Sequence, residues 1–190
     1  EELKKELANH KAILDQEKKR VFSPELKTLD ESIESYRSGR SSMGEYVQAL
    51  ANPSFRLAVP SSVQTFQKTI SLERTMDFKQ VENERTSLIN RKDKKLTRPE
   101  MDELTAQSVA YRSGEVSYAN FYNYLQGVCS KAGVSLQSFP AMREYIHYVL
   151  LADGITAETL FDDLLSLERT AYSKLAKTRE AMAIVKKARS

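Results

Sequence analysis

Tyr36-Arg37-Ser38-Gly39 returns, letter for letter, as Tyr111-Arg112-Ser113-Gly114. Displacing the chain by 75 positions also sets Pro24-Glu25 on Pro99-Glu100, Leu29 on Leu104, Ser42 on Ser117 and Leu50 on Leu125, which makes nine identities in the 27 aligned positions from 24 to 50. Recurrence over such a span reads as duplication of one helical unit. Further on, a displacement of 79 keeps apolar character throughout: Val63 falls on Met142, Phe66 on Tyr145, Ile70 on Val149, Met76 on Ile155, Val81 on Leu160 and Leu88 on Leu167. The competing match of Leu72-Glu73-Arg74-Thr75 with Leu167-Glu168-Arg169-Thr170 needs a 20-residue insertion where the other needs four, and is read as coincidence.

The residues around the repeated tetrapeptide explain it structurally. Ser23-Pro24 is a helix start, because a proline has no amide hydrogen to leave unpaired and the serine hydroxyl caps those that follow. Leu26, Leu29, Ile33 and Tyr36 then recur at steps of three and four, and Gly39 is suited to the left-handed C-terminal cap. Ser42-Met43-Gly44-Glu45 has the form of a capping box opening the next helix. Tyr-Arg-Ser-Gly is thus predicted to be a last turn, its cap and an elbow. The same signals recur after Thr97-Arg98-Pro99 and at Ser117. Asn52-Pro53, Pro60-Ser61-Ser62, Ala132-Gly133, Phe139-Pro140 and Asp153-Gly154 mark the other breaks.

No window alternates apolar and polar residues with period two, so an all-α fold of about nine helices is expected. Three long helices are predicted at 1–20, about 77–95 and 156–189. The two repeats are unit one at 24–96 and unit two at 99–175, flanked by the long helices 1–20 and 156–189, in a single domain whose apolar stripes are buried by stacking. The 190 residues suffice for a core without metal or disulfide, and the single cysteine, Cys129, excludes a cysteine-stapled scaffold. A net charge of +3 on a chain that is 29% charged means interleaved signs, which gives no reason to expect nucleic acid. No apolar run approaches the length of a membrane span, so a soluble protein, cytoplasmic by default, is expected. The sequence starts in the middle of a helical pattern, which suggests a fragment of something longer.

Candidate chemistry is sparse. Glu144-x-x-His147 has the spacing of a carboxylate-bundle metal ligand pair, but its counterpart, Thr65-x-x-Lys68, supplies no ligand, and no metal or other cofactor is expected. His10 lies on a Lys- and Glu-rich helix, where an exposed side chain is the plainer reading. No G-x-S-x-G elbow accompanies the serines. The sharpest candidates are Tyr36, Arg37, Tyr111 and Arg112, since two arginines in equivalent elbows are placed to contact an anion or a partner. A C-terminal turn favours a cation without any ligand, however. Lys18-Lys19-Arg20, Arg91-Lys92 with Lys94-Lys95, and Lys186-Lys187 with Arg189 end the long helices and would form a phosphate-binding patch if they converged. Tyr118, Phe121, Tyr122, Tyr124, Tyr145 and Tyr148 concentrate the aromatics in the second unit, where an exposed subset would mark a contact surface.

The segments Tyr36-Arg37-Ser38-Gly39 to Leu50 and Tyr111-Arg112-Ser113-Gly114 to Leu125, with Phe139-Pro140-x-x-Arg143-Glu144-Tyr145-Ile146-x-Tyr148, are similar to the duplicated helical region of large uncharacterised bacterial proteins. Those proteins carry an upstream α/β domain resembling the TraB and ChaN group. The resemblance covers nearly the whole chain, but its motifs are capping and packing residues and imply no catalytic residue. A local likeness of Tyr-Arg-Ser-Gly to helix hairpins of TolC-type channels is rejected for want of barrel strands. The expectation is a non-enzymatic protein-interaction or accessory module of a larger bacterial protein, acting on a protein partner or a neighbouring domain. The alternatives are a helical cap that lends Arg37 and Arg112 to an enzyme's anionic substrate, and a nucleic-acid or phospholipid binder working through the basic helix ends.

Overall fold

Serine, threonine or proline stands at the start of most helices in the computed structural model, and Asp77, which accepts the Lys79 and Gln80 amides, stands at the start of the helix that follows it. It describes residues 2–90 and 97–189; the side chains of Leu3, Lys4, Leu7, Leu88, Ile89, Asn90, Met101, Ser108 and Arg112 lie outside the description. The predictions resting on Leu3, Leu7, Leu88, Ile89 and the Arg91 to Lys95 run therefore lie outside the described residues. In order the helices are α1 (Glu2–Val21), α2 (Pro24–Arg37), α3 (Met43–Leu50), α4 (Ser61–Thr75), α5 (Phe78–Asn90), α6 (Arg98–Ser113), α7 (Tyr118–Lys131), α8 (Pro140–Asp153), α9 (Ala157–Leu175) and α10 (Arg179–Arg189). Short 3-10 turns at Pro53–Phe55 and Leu136–Ser138 precede α4 and α8. Among the described residues there is no strand.

The caps form as the residues dictate. Ser23 Oγ accepts the Leu26 amide, Ser42 and Glu45 close a reciprocal capping box, and Ser117 Oγ accepts the Asn120 amide. At α6 the Thr97 amide donates to Glu100 Oε2 at 2.8 Å. Gly39 and Gly114 take φ of +73° and +78°, the left-handed conformation that a Cβ disfavours. At the first elbow the Arg40 amide returns to the Ser35 carbonyl, and at the second the Glu115 amide returns to that of Ala110.

The predicted helix over 156–189 is two helices. The chain leaves helical geometry after Leu175, and Thr178 Oγ1 accepts the Ala181 amide to start α10. The apolar stripe runs on through Ala176 and Ala181, both buried, so periodicity alone conceals the break.

The chain divides into two compact units, with the division falling inside α4. Unit 1 comprises residues 1–67 and 157–190, and thus takes α9 and α10 from the far end of the sequence. Its core holds Leu26, Leu29, Ile33, Val47, Leu50 and Val63 with Leu160, Leu164, Leu167 and Ala171, where α9 packs on α2 and α3 and α10 lies along α1. Burial of each such aliphatic side chain is worth about 1.5 to 3 kcal/mol, and it offsets the entropy of ordering helices distant in sequence.

Unit 2 comprises residues 68–156. Here α5 packs on α8 and α8 on α7, around Val81, Leu104, Phe121, Tyr122, Leu125, Met142, Ile146 and Val149. Glu84 on α5 is also inside, where its Oε2 accepts the buried Met142 amide at 2.9 Å and so caps α8 from another helix. In unit 1 Asp163 on α9 accepts the Ser62 hydroxyl at the start of α4.

Candidate functional site

The first elbow is tied into the interior of unit 1. Tyr36 stacks on Tyr46 with ring centroids 4.4 Å apart and planes 9° from parallel. Arg37 Nη2 donates to Glu168 Oε1 at 2.7 Å, and Tyr46 donates its hydroxyl to Glu168 Oε2 at the same distance. Arg189 Nη2 lies 3.2 Å from that Oε1. Glu168 is only 1% exposed, so its charge is held by two guanidinium groups and a phenol inside the protein. A second buried carboxylate, Asp30, accepts from Lys18 Nζ and from the Tyr172 hydroxyl. Arg189 joins the two groups, its guanidinium 5.0 Å over the Tyr172 ring. Burial, followed by the neighbouring carboxylates, pushes Tyr46 and Tyr172 well above the usual phenol range. Both phenols are thus donors at neutral pH.

The second elbow builds an aromatic cluster in unit 2. Tyr111 stacks on Phe121 at 4.4 Å and meets Tyr118 and Tyr122 edge on. Tyr122 reaches Tyr111 and Arg85; its hydroxyl is driven far above the ordinary range by burial and by Tyr111. Burial alone would lower the Arg85 pKa, but hydrogen bonds to Tyr122 and Glu82 outweigh it. Arg112, the remaining member of the predicted set, has a side chain outside the described residues.

Beside that cluster a groove of about 500 Å³ opens between the start of α5, the start of α7 and α8. Phe78, Tyr118, Tyr145 and Tyr148 line it together with the exposed carboxylates Glu73 and Asp153. Phe78 and Tyr118 are 52% and 61% exposed, unlike the aromatics beneath them. Phe78 meets Tyr145 nearly at a right angle, 79° at 6.3 Å, while Tyr145 and Tyr148 lie 6.0 Å apart at 29°. Tyr145 is pushed up to about 12 by burial and then by the surrounding tyrosines. Tyr148 is raised by burial and then by Glu73.

Other candidates lie elsewhere. Glu144 and His147 are exposed on α8, His10 is exposed on α1, and no three His, Cys, Asp or Glu among the described residues are grouped to hold a metal. Burial raises the Cys129 thiol above its ordinary value. Of the basic helix ends, Lys18 is turned onto Asp30, Arg189 onto Glu168, and Lys187 pairs with Glu17 at 3.6 Å. No described helix is long and apolar enough to cross a membrane.

Sequence reasoning missed Asp30 and Glu168, although both carry a signal. Asp30 sits four residues after Leu26 and one after Leu29, and Glu168 four after Leu164 and three before Ala171, so each carboxylate interrupts an apolar stripe. The two Leu-Glu-Arg-Thr tetrapeptides occupy unlike places, with Glu73 exposed at the groove and Glu168 buried. No protein-family model, curated protein or solved structure matches the chain.

Proposed function

We propose that the chain is a protein-interaction or accessory module of a larger bacterial protein, non-enzymatic by itself and built by internal duplication, and that the aromatic groove of unit 2 is its contact surface. The observation that carries the contact reading is the exposure of Phe78 and Tyr118 beside Tyr145 and Tyr148. Large rings left in water in one concave place are costly to keep unless something covers them, and tyrosine is favoured where one end of the side chain must remain wet. The polar clusters favour it too, since their carboxylates and phenols bond to one another.

The duplication has independent support. The stack of Tyr36 on Tyr46 recurs 75 positions on as Tyr111 on Phe121, at the same centroid distance, and the two glycine caps share one backbone conformation. Glu84 and Asp163, which reach the starts of α8 and α4, are 79 positions apart, as are Val63 and Met142. Both displacements are those of the sequence alignment.

A photoactivatable crosslinking residue in place of Tyr118 tests the contact reading in the organism that makes the protein. A discrete adduct of one mass is expected, competed by the parent chain and not by a Tyr145→Ala, Tyr148→Ala variant that retains its helix content. A diffuse smear, or equal competition by the variant, would overturn the assignment.

A further inference from the structure

The groove carries a charge as well as a shape, and this inference rests on the interaction reading of that groove. Glu73 and Asp153 are its ionisable lining residues other than tyrosine, and none of the described residues lining it is basic. The whole chain has a net charge of +3, so an acidic, aromatic concavity runs against its general sign. Ring faces are electron-rich, and a cation held over them is drawn in more strongly as water is excluded. Here the rings form a corner: Phe78 stands nearly perpendicular to Tyr145, and Tyr145 and Tyr148 lie closer to parallel. A flat guanidinium can lie against one wall and direct its N–H groups to a lining carboxylate. Glu73 is near enough to Tyr148 for its charge to act on the phenol.

We infer that the groove receives an arginine side chain from a basic segment of a partner protein, with the guanidinium over the Tyr145 and Tyr148 rings and its charge met by Glu73 and Asp153. Aliphatic neighbours of that arginine would cover the exposed rings of Phe78 and Tyr118. Lysine fits less well, because an ammonium lacks the planar face and is more strongly hydrated.

Fluorescence anisotropy of the full chain with labelled decapeptides tests this, using an alternating arginine–leucine peptide, its lysine counterpart and its glutamate counterpart. The arginine peptide is expected to bind, to weaken about tenfold in Glu73→Gln, Asp153→Asn, and to weaken with added salt. Both substitutions lie on exposed side chains, and Tyr118→Ala, at another exposed position, is expected to weaken binding by a similar factor without loss of helix content. Equal binding of the arginine and glutamate peptides would overturn the cation assignment and leave the interaction reading standing. So would failure of every peptide while the crosslink from position 118 persists. Loss of both the crosslink and the peptide signal would overturn both. Tetramethylammonium binding more tightly than the peptide would replace the partner protein with a small organic cation.

Discussion

Arg37 Nη2 lies 2.7 Å from Glu168 Oε1, a contact spanning 131 positions of sequence, while Tyr46 holds the other carboxylate oxygen. The residue repeated in the first elbow is therefore spent on an interior charge. Removing that charge strands two guanidinium groups and a phenol, so Glu168→Ala is expected to cost about 3 kcal/mol in urea unfolding. Arg37→Ala is expected to cost only about 1 kcal/mol, because its side chain is nearly half exposed and Arg189 remains on the same oxygen. A Glu168→Ala protein as stable as the parent would show that the pairing contributes nothing.

The tyrosines set an alkaline limit. Tyr46, Tyr122 and Tyr172 are raised beyond the usual phenol range and Tyr145 to about 12, each chiefly by burial. A phenol that ionises near pH 10 in the unfolded chain but later in the fold contributes its full stability below about pH 10. That contribution is lost as pH rises through the folded values. Phenolate absorbance followed together with far-ultraviolet circular dichroism is expected to show these tyrosines ionising as the helices melt. Ionisation of all nine tyrosines before any loss of helix would contradict it.

Local chemistry was legible in the sequence and long-range pairing was not. Ser23, Ser42, Ser117, Gly39 and Gly114 announce helix ends because a cap is satisfied by atoms within a few residues of it. The all-helical class followed from periodicity for the same reason. The break at Thr178 was hidden because the stripe through Ala176 and Ala181 continues across it. That Arg37 would find Glu168, or Glu84 the Met142 amide, depends on which helices pack together. The groove was half legible: the cluster of tyrosines suggested a surface, but the exposure of Phe78 depends on how α5 meets α8.

The two glycine caps offer a matched pair. A Cβ at either would meet nothing within 4 Å, so the penalty of substitution comes from the backbone alone. With φ of +73° and +78°, Gly39→Ala and Gly114→Ala are each expected to cost about 1 kcal/mol, and Gly→Asn at either place less. Thermal unfolding of the four variants checks this. A cost at one elbow and none at the other would mean that the elbows relax differently once the glycine is gone.

Glu84 and Asp163, 79 positions apart, each reach the start of another helix, and the two contacts are expected to differ in strength. Glu84 Oε2 is the acceptor for the Met142 amide, an otherwise orphan donor in the first turn of α8, and Gln80 steadies its other oxygen at 3.2 Å. Because carboxylate and amide are both buried, Glu84→Ala is expected to cost about 2 kcal/mol and to open the first turn of α8. Asp163 instead meets a hydroxyl that can turn to another acceptor, so Asp163→Ala is expected to cost about half as much. Hydrogen exchange separates local from global effects: the Met142 amide should exchange faster in Glu84→Ala than the protein's loss of stability explains, whereas in Asp163→Ala any acceleration should fall at the start of α4. Uniform acceleration throughout the chain in either variant would show that the carboxylate acts through packing and not as a cap.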